Sequence, residues 1–328
     1  MRKIIFAVIL TVLFSACGDA SGGGTGTGGG AFGGKSGEPS VYIGGWYEDG
    51  GAEKACYWID GKRYELNGYR VENITTVRGT VYAAGCYDDG GTEKACYWVN
   101  KTRRDLPGFF YLSYLRNPFP NISVDRGSVY ISGLYGSSFD DAKGSYWVNG
   151  VSREPTTDGF VQDAYAANGS VYMSGFYTDG GILKPCWWVN GSRRELSNIM
   201  AGSPDFIYST ITVANNKAYI ACGFWLADEE YSSYWIDGVQ QKIIFNKFVE
   251  ALAIYEGDLY MTGGGGFDGI YKNGELYASG WAHRSAGLAV FRGKTYTCGS
   301  ESGIACYWID GEQFFLDGAY ANAIFVEE

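Results

Sequence analysis

The sequence holds a single histidine and only seven prolines in 328 residues. The lone His283 rules out a site built on several histidine ligands and leaves a Ser-His-Asp triad one base to use. No Cys-x-x-Cys pair occurs, so the usual zinc spacing is missing. Basic residues are the minority charge, 26 against 36 acidic, giving a net charge of −10. A chain so short of cations lacks the basic footprint that sequence-independent nucleic-acid binding requires. The same shortage disfavours adhesion to anionic lipid headgroups. Beyond the first 16 residues, no apolar run approaches the roughly 20 residues that span a bilayer as a helix.

Glycine and aromatics are abundant, with 50 Gly, 27 Tyr, 18 Phe and 10 Trp. Aromatic and β-branched residues divided by many glycine turns favour an all-β chain. The N-terminus reads Met1-Arg2-Lys3, an apolar run Ile4 to Phe14, then Ser15-Ala16-Cys17. Two charges, a short apolar run and small residues describe a secretory signal. Cys17 after Ser15-Ala16 resembles the lipobox of bacterial lipoproteins, with Phe14 standing where a smaller aliphatic is usual. That resemblance implies cleavage before Cys17, a lipid on its thiol and residence in the bacterial cell envelope, anchored to the outer membrane or cell surface. The expected division is a signal peptide at 1–16, a lipidated Cys17 with a Gly/Ser-rich tether through residue 40, and one folded body at 41–328. The tether composition cannot bury enough apolar surface to fold and predicts a coil with a reach of about 25 Å.

Internal self-similarity is the strongest signal in the folded part. A Val-Tyr segment recurs with its tyrosine at 42, 82, 130, 172, 219, 260 and 296. A Tyr-Trp segment follows each time, with its tryptophan at 58, 98, 147, 188, 235 and 308, and Tyr271 takes that place in the sixth repeat. Each unit reads as four short strands, lettered A to D from an axis outward, with Val-Tyr as strand B and Tyr-Trp as strand C. Asp-Gly or Asn-Gly joins C to D in every unit but the second, which has Asn100-Lys101. Those pairs suit the left-handed backbone of a two-residue hairpin. Strand D is charged (Lys62-Arg63, Arg103-Arg104, Arg193-Arg194), which discourages pairing at an outer edge. Four-stranded units of about 40 residues are propeller blades. The first unit begins at strand B, and a lone apolar segment, Ala323 to Val326, ends the last. The expected fold is therefore a seven-bladed β-propeller of four antiparallel strands per blade, its first blade closed by the C-terminal strand.

The strand pattern resembles the kelch repeat. Val41-Tyr42-Ile43-Gly44-Gly45 and Leu259-Tyr260-Met261-Thr262-Gly263-Gly264 are similar to its apolar-then-double-glycine strand, and Tyr57-Trp58-Ile59-Asp60-Gly61 to its next strand and turn. The later tryptophan of that family is absent, and most repeats here have one glycine. The chain also has a general likeness to repeat lipoproteins of spirochaetes and related bacteria. Both resemblances imply a fold and no activity.

Candidate chemistry is sparse. Cys56, Cys96, Cys186 and Cys306 share one repeat position. Equivalent sites in adjacent blades, near 10 Å apart, are too distant to bridge, so these read as small buried hydrophobes. Cys86 and Cys96 flank one turn symmetrically and form the candidate disulfide. The B–C loops are acidic, with Glu48-Asp49, Asp88-Asp89, Asp140-Asp141, Asp179, Asp228-Glu229-Glu230, Asp268 and Glu301 on one rim. Ca²⁺ is weakly suggested there, because the alternating ligands of a known calcium loop are missing. No other metal or cofactor is expected.

The D–A connections open on the same face and vary in length, whereas the A–B and C–D turns are uniformly tight. The D–A loops hold the candidate binding residues: Phe109, Phe110, Tyr111, Tyr114 and Phe119 in the second, Phe206 and Tyr208 in the fourth, Trp281, His283 and Arg284 in the sixth. Aromatic clusters on loops of a rigid scaffold supply contact area at low entropic cost. The expectation is a monomeric, non-enzymatic module that binds a protein or glycan. The alternatives are a propeller enzyme acting on glycans and a structural subunit of an envelope complex.

Overall fold

The computed structural model describes residues 37–109, 120–136, 143–153, 159–180, 182–197, 205–226, 229–245, 248–264, 269–279 and 285–328. These residues form seven four-stranded antiparallel sheets and no helix. Blade 2 is typical, with A at Arg70–Val77, B at Thr80–Asp88, C at Glu93–Val99 and D at Thr102–Asp105. Blade 1 takes B, C and D from Ser40–Asp49, Ala52–Ile59 and Lys62–Glu65, and its strand A is Tyr320–Glu327. Tyr42 pairs with Phe325 and Ile43 with Ile324, so the last strand closes the ring. The sixth repeat is a full blade: Met261 opposes Tyr271 in the register that sets Ile43 against Trp58.

The core lies between blades. One cluster joins Tyr42, Tyr57 and Phe325 of blade 1 to Val71, Ile74 and Trp98 of blade 2. The strand C tryptophans of blades 1 to 4 are fully buried. In blades 3 and 5 the indole N–H reaches the D–A connection that leads into its own blade: Trp147 Nε1 donates to the Pro107 carbonyl at 3.2 Å and Trp235 Nε1 to the Ser197 carbonyl at 2.8 Å. In blades 1 and 2 the same space is occupied by Gly318 and Gly68, where a Cβ would fall 2.4 and 2.6 Å from the indole ring.

The C–D turns do more than reverse the chain. Asp60, Asn100, Asn149, Asn190, Asp237, Asn273 and Asp310 all adopt φ near +50°. Each side-chain oxygen also accepts the N–H that opens strand B of the same blade, from Val41, Val81, Val129, Val171, Ala218, Leu259 and Thr295, at 2.8–3.1 Å. The backbone N–H of the same residue returns a bond to that strand B carbonyl. A short polar side chain that tolerates the left-handed region can do both. Blade 2 shows which half of the Asx-Gly signature matters, since it keeps Asn100 and dispenses with glycine.

Two expectations need correction here. The short apolar segments of the sequence, Ile74 to Val77 and Ala251 to Tyr255, suggest a strand A that begins at Ile74 in blade 2 and Ala251 in blade 6, but it starts at Arg70 and Phe248. The Cys86–Cys96 bridge is not formed, and all seven described cysteines are reduced and buried. Cys96 pairs with Gly85, and Cys86 with Ala95. One step of register puts the two side chains on opposite faces of the sheet. The shared-position cysteines are the small core residues expected, and burial pushes the thiols of Cys56, Cys96 and Cys186 well up.

Candidate functional site

The longer strand A carries a feature repeated around the axis. In every blade except the third, whose strand A begins at Asn121, one residue of strand A is skipped in the pairing with strand B. These residues are Glu72, Gln162, Ile207, Glu250, Ala286 and Asn322. Such bulges bend a strand and re-aim a side chain. All lie toward the end of strand A that receives the D–A connection, at the mouth of the ring on that face.

The bulge accounts for the recurrent glycine of strand B. A Cβ on Gly45, Gly85 or Gly175 would lie 2.0, 1.9 or 1.8 Å from the carbonyl oxygen of Tyr320, Arg70 or Phe160. These carbonyls belong to the bulged strand, which runs too close for any side chain.

The mouth is chemically lopsided. The strand A residues opposite Ala84, Ser132, Ser174 and Ala221 are Asn73, Asn121, Asp163 and Thr210, on blades 2 to 5. The equivalents on blades 6, 7 and 1 are Ala251, Gly287 and Ala323. Asp163 ties the polar arc together. Asn121 Nδ2 donates to its Oδ1, while Thr210 Oγ1 and the Ile211 N–H donate to its Oδ2, each at 2.8 Å. One carboxyl thus bonds blades 3, 4 and 5. Burial raises its pKa to about 6, and the hydrogen bonds from Ile211, Thr210, Ala164 and Asn121 pull the other way. Desolvation of the charged form outweighs the donors that favour it. Between blades 1 and 2, Asn322 Nδ2 donates to the Val71 carbonyl at 2.8 Å and to Glu72 Oε2 at 3.1 Å. Glu72 and Glu250 are each less than one-tenth exposed. The mouth therefore presents carboxylate acceptors and carboxamides of both senses, held by rigid strands.

The candidate residues named from sequence divide three ways. Phe109 is no loop anchor: it is 8% exposed, pairs with Tyr135 and packs on Trp147 at a centroid distance of 4.9 Å. Tyr208 is also buried, its hydroxyl 3.4 Å from Ser232 Oγ. Tyr208 falls in strand A of blade 5, Asp205–Ala214, whereas Phe109 is in the D–A connection and turns inward from it. Phe206 falls in strand A of blade 5, opposite Phe224. Phe110, Tyr111, Tyr114, Phe119, Trp281, His283 and Arg284 lie outside the described residues, as does Cys17. The bulge residues went unread, although a signal was present: a polar residue immediately before the apolar run of strand A, in a unit whose strand B bears a glycine.

On the acidic rim, Lys94 bonds Asp89, and Lys184 bonds Asp179 at 2.6 Å, each across its own B–C hairpin. The lysines hold both carboxyls below their ordinary range. Among the described residues, no group of three or more His, Cys, Asp or Glu is placed to hold a metal ion.

No family model matches the chain, and no curated protein matches it. Solved structures do. A puromycin-hydrolyzing peptidase of Mycobacterium tuberculosis is 13% identical with a TM-score of 0.45, over 73% of this chain and 45% of that one. The propeller thus spans under half the length of the peptidase. A β-xylosidase/α-arabinofuranosidase of glycoside hydrolase family 43, from a compost microbial metagenome and in complex with xylotriose, is 11% identical with a TM-score of 0.38, over 77% and 89%. An Aleuria aurantia lectin in complex with Fucα1-6GlcNAc is 8% identical with a TM-score of 0.37, over 85% and 96%. Likeness this distant carries no argument about activity.

Proposed function

We propose that this chain is a lipid-anchored envelope protein whose propeller binds a glycan or protein on its D–A face. The observation that carries this reading is the concentration of everything variable or polar on one side. The A–B turns of blades 2 to 7 and the C–D turns of all blades are tight, while the bulged, hydrogen-bonding mouth and the uneven D–A connections share the other face. A rigid ring with a polar mouth, and D–A connections whose sequence is rich in aromatics, suits a hydroxyl-rich or peptide ligand. Phe110, Tyr111, Tyr114, Phe119, Trp281, His283 and Arg284 are assigned the contact surface, and Glu72, Glu250 and Asn322 the floor.

The test is binding of the full chain, with Cys17→Ser to remove the lipid, to an arrayed glycan panel and to an extract of envelope proteins. Joint substitution of Phe110, Tyr111 and Tyr114 by Ala is expected to abolish binding while the unfolding transition stays in place. Retained binding would sink the proposal. The enzyme alternative would be tested at Glu72 and Glu250, two buried carboxyls at the mouth, because glycoside hydrolysis uses carboxyl groups as its acid and nucleophile or base. Turnover on the same glycans, lost in Glu72→Gln or Glu250→Gln, would decide for it.

A further inference from the structure

We propose that the outer rim of blades 2 and 4 carries two copies of a shallow site for an uncharged saccharide, separate from the D–A mouth and independent of it.

A set of side chains is shared by three blades and lacking in the other four. Blade 2 has Tyr87 and Asp89 at the end of strand B, Lys94 on strand C, and Arg103 and Asp105 on strand D. Blade 1 repeats it at Tyr47, Asp49, Lys54, Arg63 and Glu65, and blade 4 at Tyr177, Asp179, Lys184, Arg193 and Glu195. Register puts each set on one face of its sheet: Tyr87 opposes Lys94, Cys96 opposes Asp105 and Trp98 opposes Arg103. The fold does not need the set. Ser152, Gln240, Leu276 and Gln313 stand at the arginine position of blades 3, 5, 6 and 7, and those blades form the same four strands.

The three copies share their geometry. The guanidinium lies over the tyrosine ring, 4.0, 3.8 and 3.9 Å from its centroid for Arg63, Arg103 and Arg193. Arg103 Nε pairs with Asp105 at 3.0 Å and Arg193 Nε with Glu195 at 3.3 Å. Both groups reach solvent: the arginine side chains are 29% and 39% exposed, their acids 54% and 56%. Blade 1 shows what such an arginine takes. Arg63 Nη1 donates to the Asp317 carbonyl at 3.0 Å and lies 2.8 Å from its carboxylate, so the chain's own oxygens fill that copy. The connection into blade 2 has Asn67 at the place of Asp317. Among the described residues, Arg103 and Arg193 form no second ion pair.

Charge selects the ligand. Two carboxylates and two cations share the face of each open copy, with Lys94 bonded to Asp89 and Lys184 to Asp179. Asp88 and Glu93 fall on the other face of the blade 2 sheet, where blade 4 has Thr178 and Leu183. An anion would meet the carboxylates and a cation the Lys and Arg heads, at a cost either way. A hydroxyl donates once and accepts twice, so adjacent hydroxyls can bridge a carboxylate and a guanidinium together. Adjacent hydroxyls on a rigid ring are what an uncharged sugar presents.

The experiment is NMR on the ¹⁵N-labelled full chain with Cys17→Ser. Free trisaccharides of glucose, galactose and mannose are added to millimolar concentration, where isolated shallow sites fill; retention on an array reads tighter binding at the D–A face. Arg63→Lys, Arg103→Lys and Arg193→Lys assign the arginine Nε–H signals. With at least one trisaccharide, the Arg103 and Arg193 signals are expected to shift and saturate while that of Arg63 stays. Asp105→Asn and Glu195→Gln should each weaken the response of their own blade about tenfold, with the unfolding midpoint in place. The glucuronate and glucosamine counterparts should bind at least about tenfold more weakly. No shift with any uncharged sugar, an equal shift at Arg63, or preference for a charged counterpart overturns the proposal. The joint Phe110, Tyr111 and Tyr114 variant separates the two readings. Shifts that persist in it belong to the rim; shifts lost with it assign the sugar to the D–A mouth and overturn the rim site alone.

Discussion

Asp163 is the residue whose chemistry most clearly exceeds its structural need. An Asn at the same place could still accept from Thr210 and the Ile211 N–H through its one oxygen, but its NH2 group would then face the Asn121 Nδ2 donor, which is a physical reason to keep an acid there. The penalty is desolvation. Its folded pKa of about 6 stands above the ordinary value of 3.8. The native state therefore binds the extra proton between these values, and its stability falls as pH rises through that window. We expect urea unfolding to show more stability near pH 5 than at pH 7, by about 1 kcal/mol, the part of this shift's full effect that falls between those two pH values. Asp163→Asn should flatten that slope. Below about pH 4 the trend must reverse, because Asp89, Asp179 and Asp258 have carboxyls lowered by Lys94, Lys184 and Lys272, and protonation removes what those pairs contribute. A slope in Asp163→Asn equal to that of the parent between pH 5 and 7 would show that Asp163 is not its source.

At the level of the strand, the bulge and its facing glycine act as one unit. Gly175→Ala would set a methyl 1.8 Å from the Phe160 carbonyl, on backbone that cannot rotate away. The expected loss is about 3 kcal/mol, the upper range of overpacking, read as a lower urea midpoint. A neutral outcome would mean that the bulge is not a fixed feature of strand A. This unit also marks the boundary of what could be read from the sequence. Strands B, C and D were legible because each has a local signature: Val-Tyr, Tyr-Trp and Asx-Gly are chemistry within one hairpin. Strand A was half legible. Its apolar half alternates like any buried strand, but Glu72-Asn73 and Gln162-Asp163 are polar and break the alternation, so the start of the strand was read as loop. A bulge leaves its trace in the partner strand, as a glycine some dozen residues later, and single-strand periodicity is blind to that. The Cys86–Cys96 expectation failed for a related reason. Symmetry about a turn does not fix register, and a shift of one residue reverses a side chain.

For the whole ring, blade number and closure followed from the repeat and from the complementary ends, which are properties of the full chain. Arg292 binds both the Gly37 carbonyl and the Glu328 side chain, so the two ends of the folded body are neighbours on one face. We therefore expect that joining Glu328 to Gly37 by a short Gly-Ser link, and opening the chain at the exposed Gly90-Gly91 turn, gives a soluble propeller within about 2 kcal/mol of the parent. Calorimetry showing no cooperative transition in this permutant would refute the adjacency.

The last of the 28 strands to be synthesised is the first blade's innermost. As the chain emerges, the opening hairpin must wait with a bare hydrogen-bonding edge while six further blades are made. A frameshift just after Leu316 would leave six complete blades and still produce no native protein. Any chaperone that meets the growing polypeptide has to shield that edge until the final residues arrive.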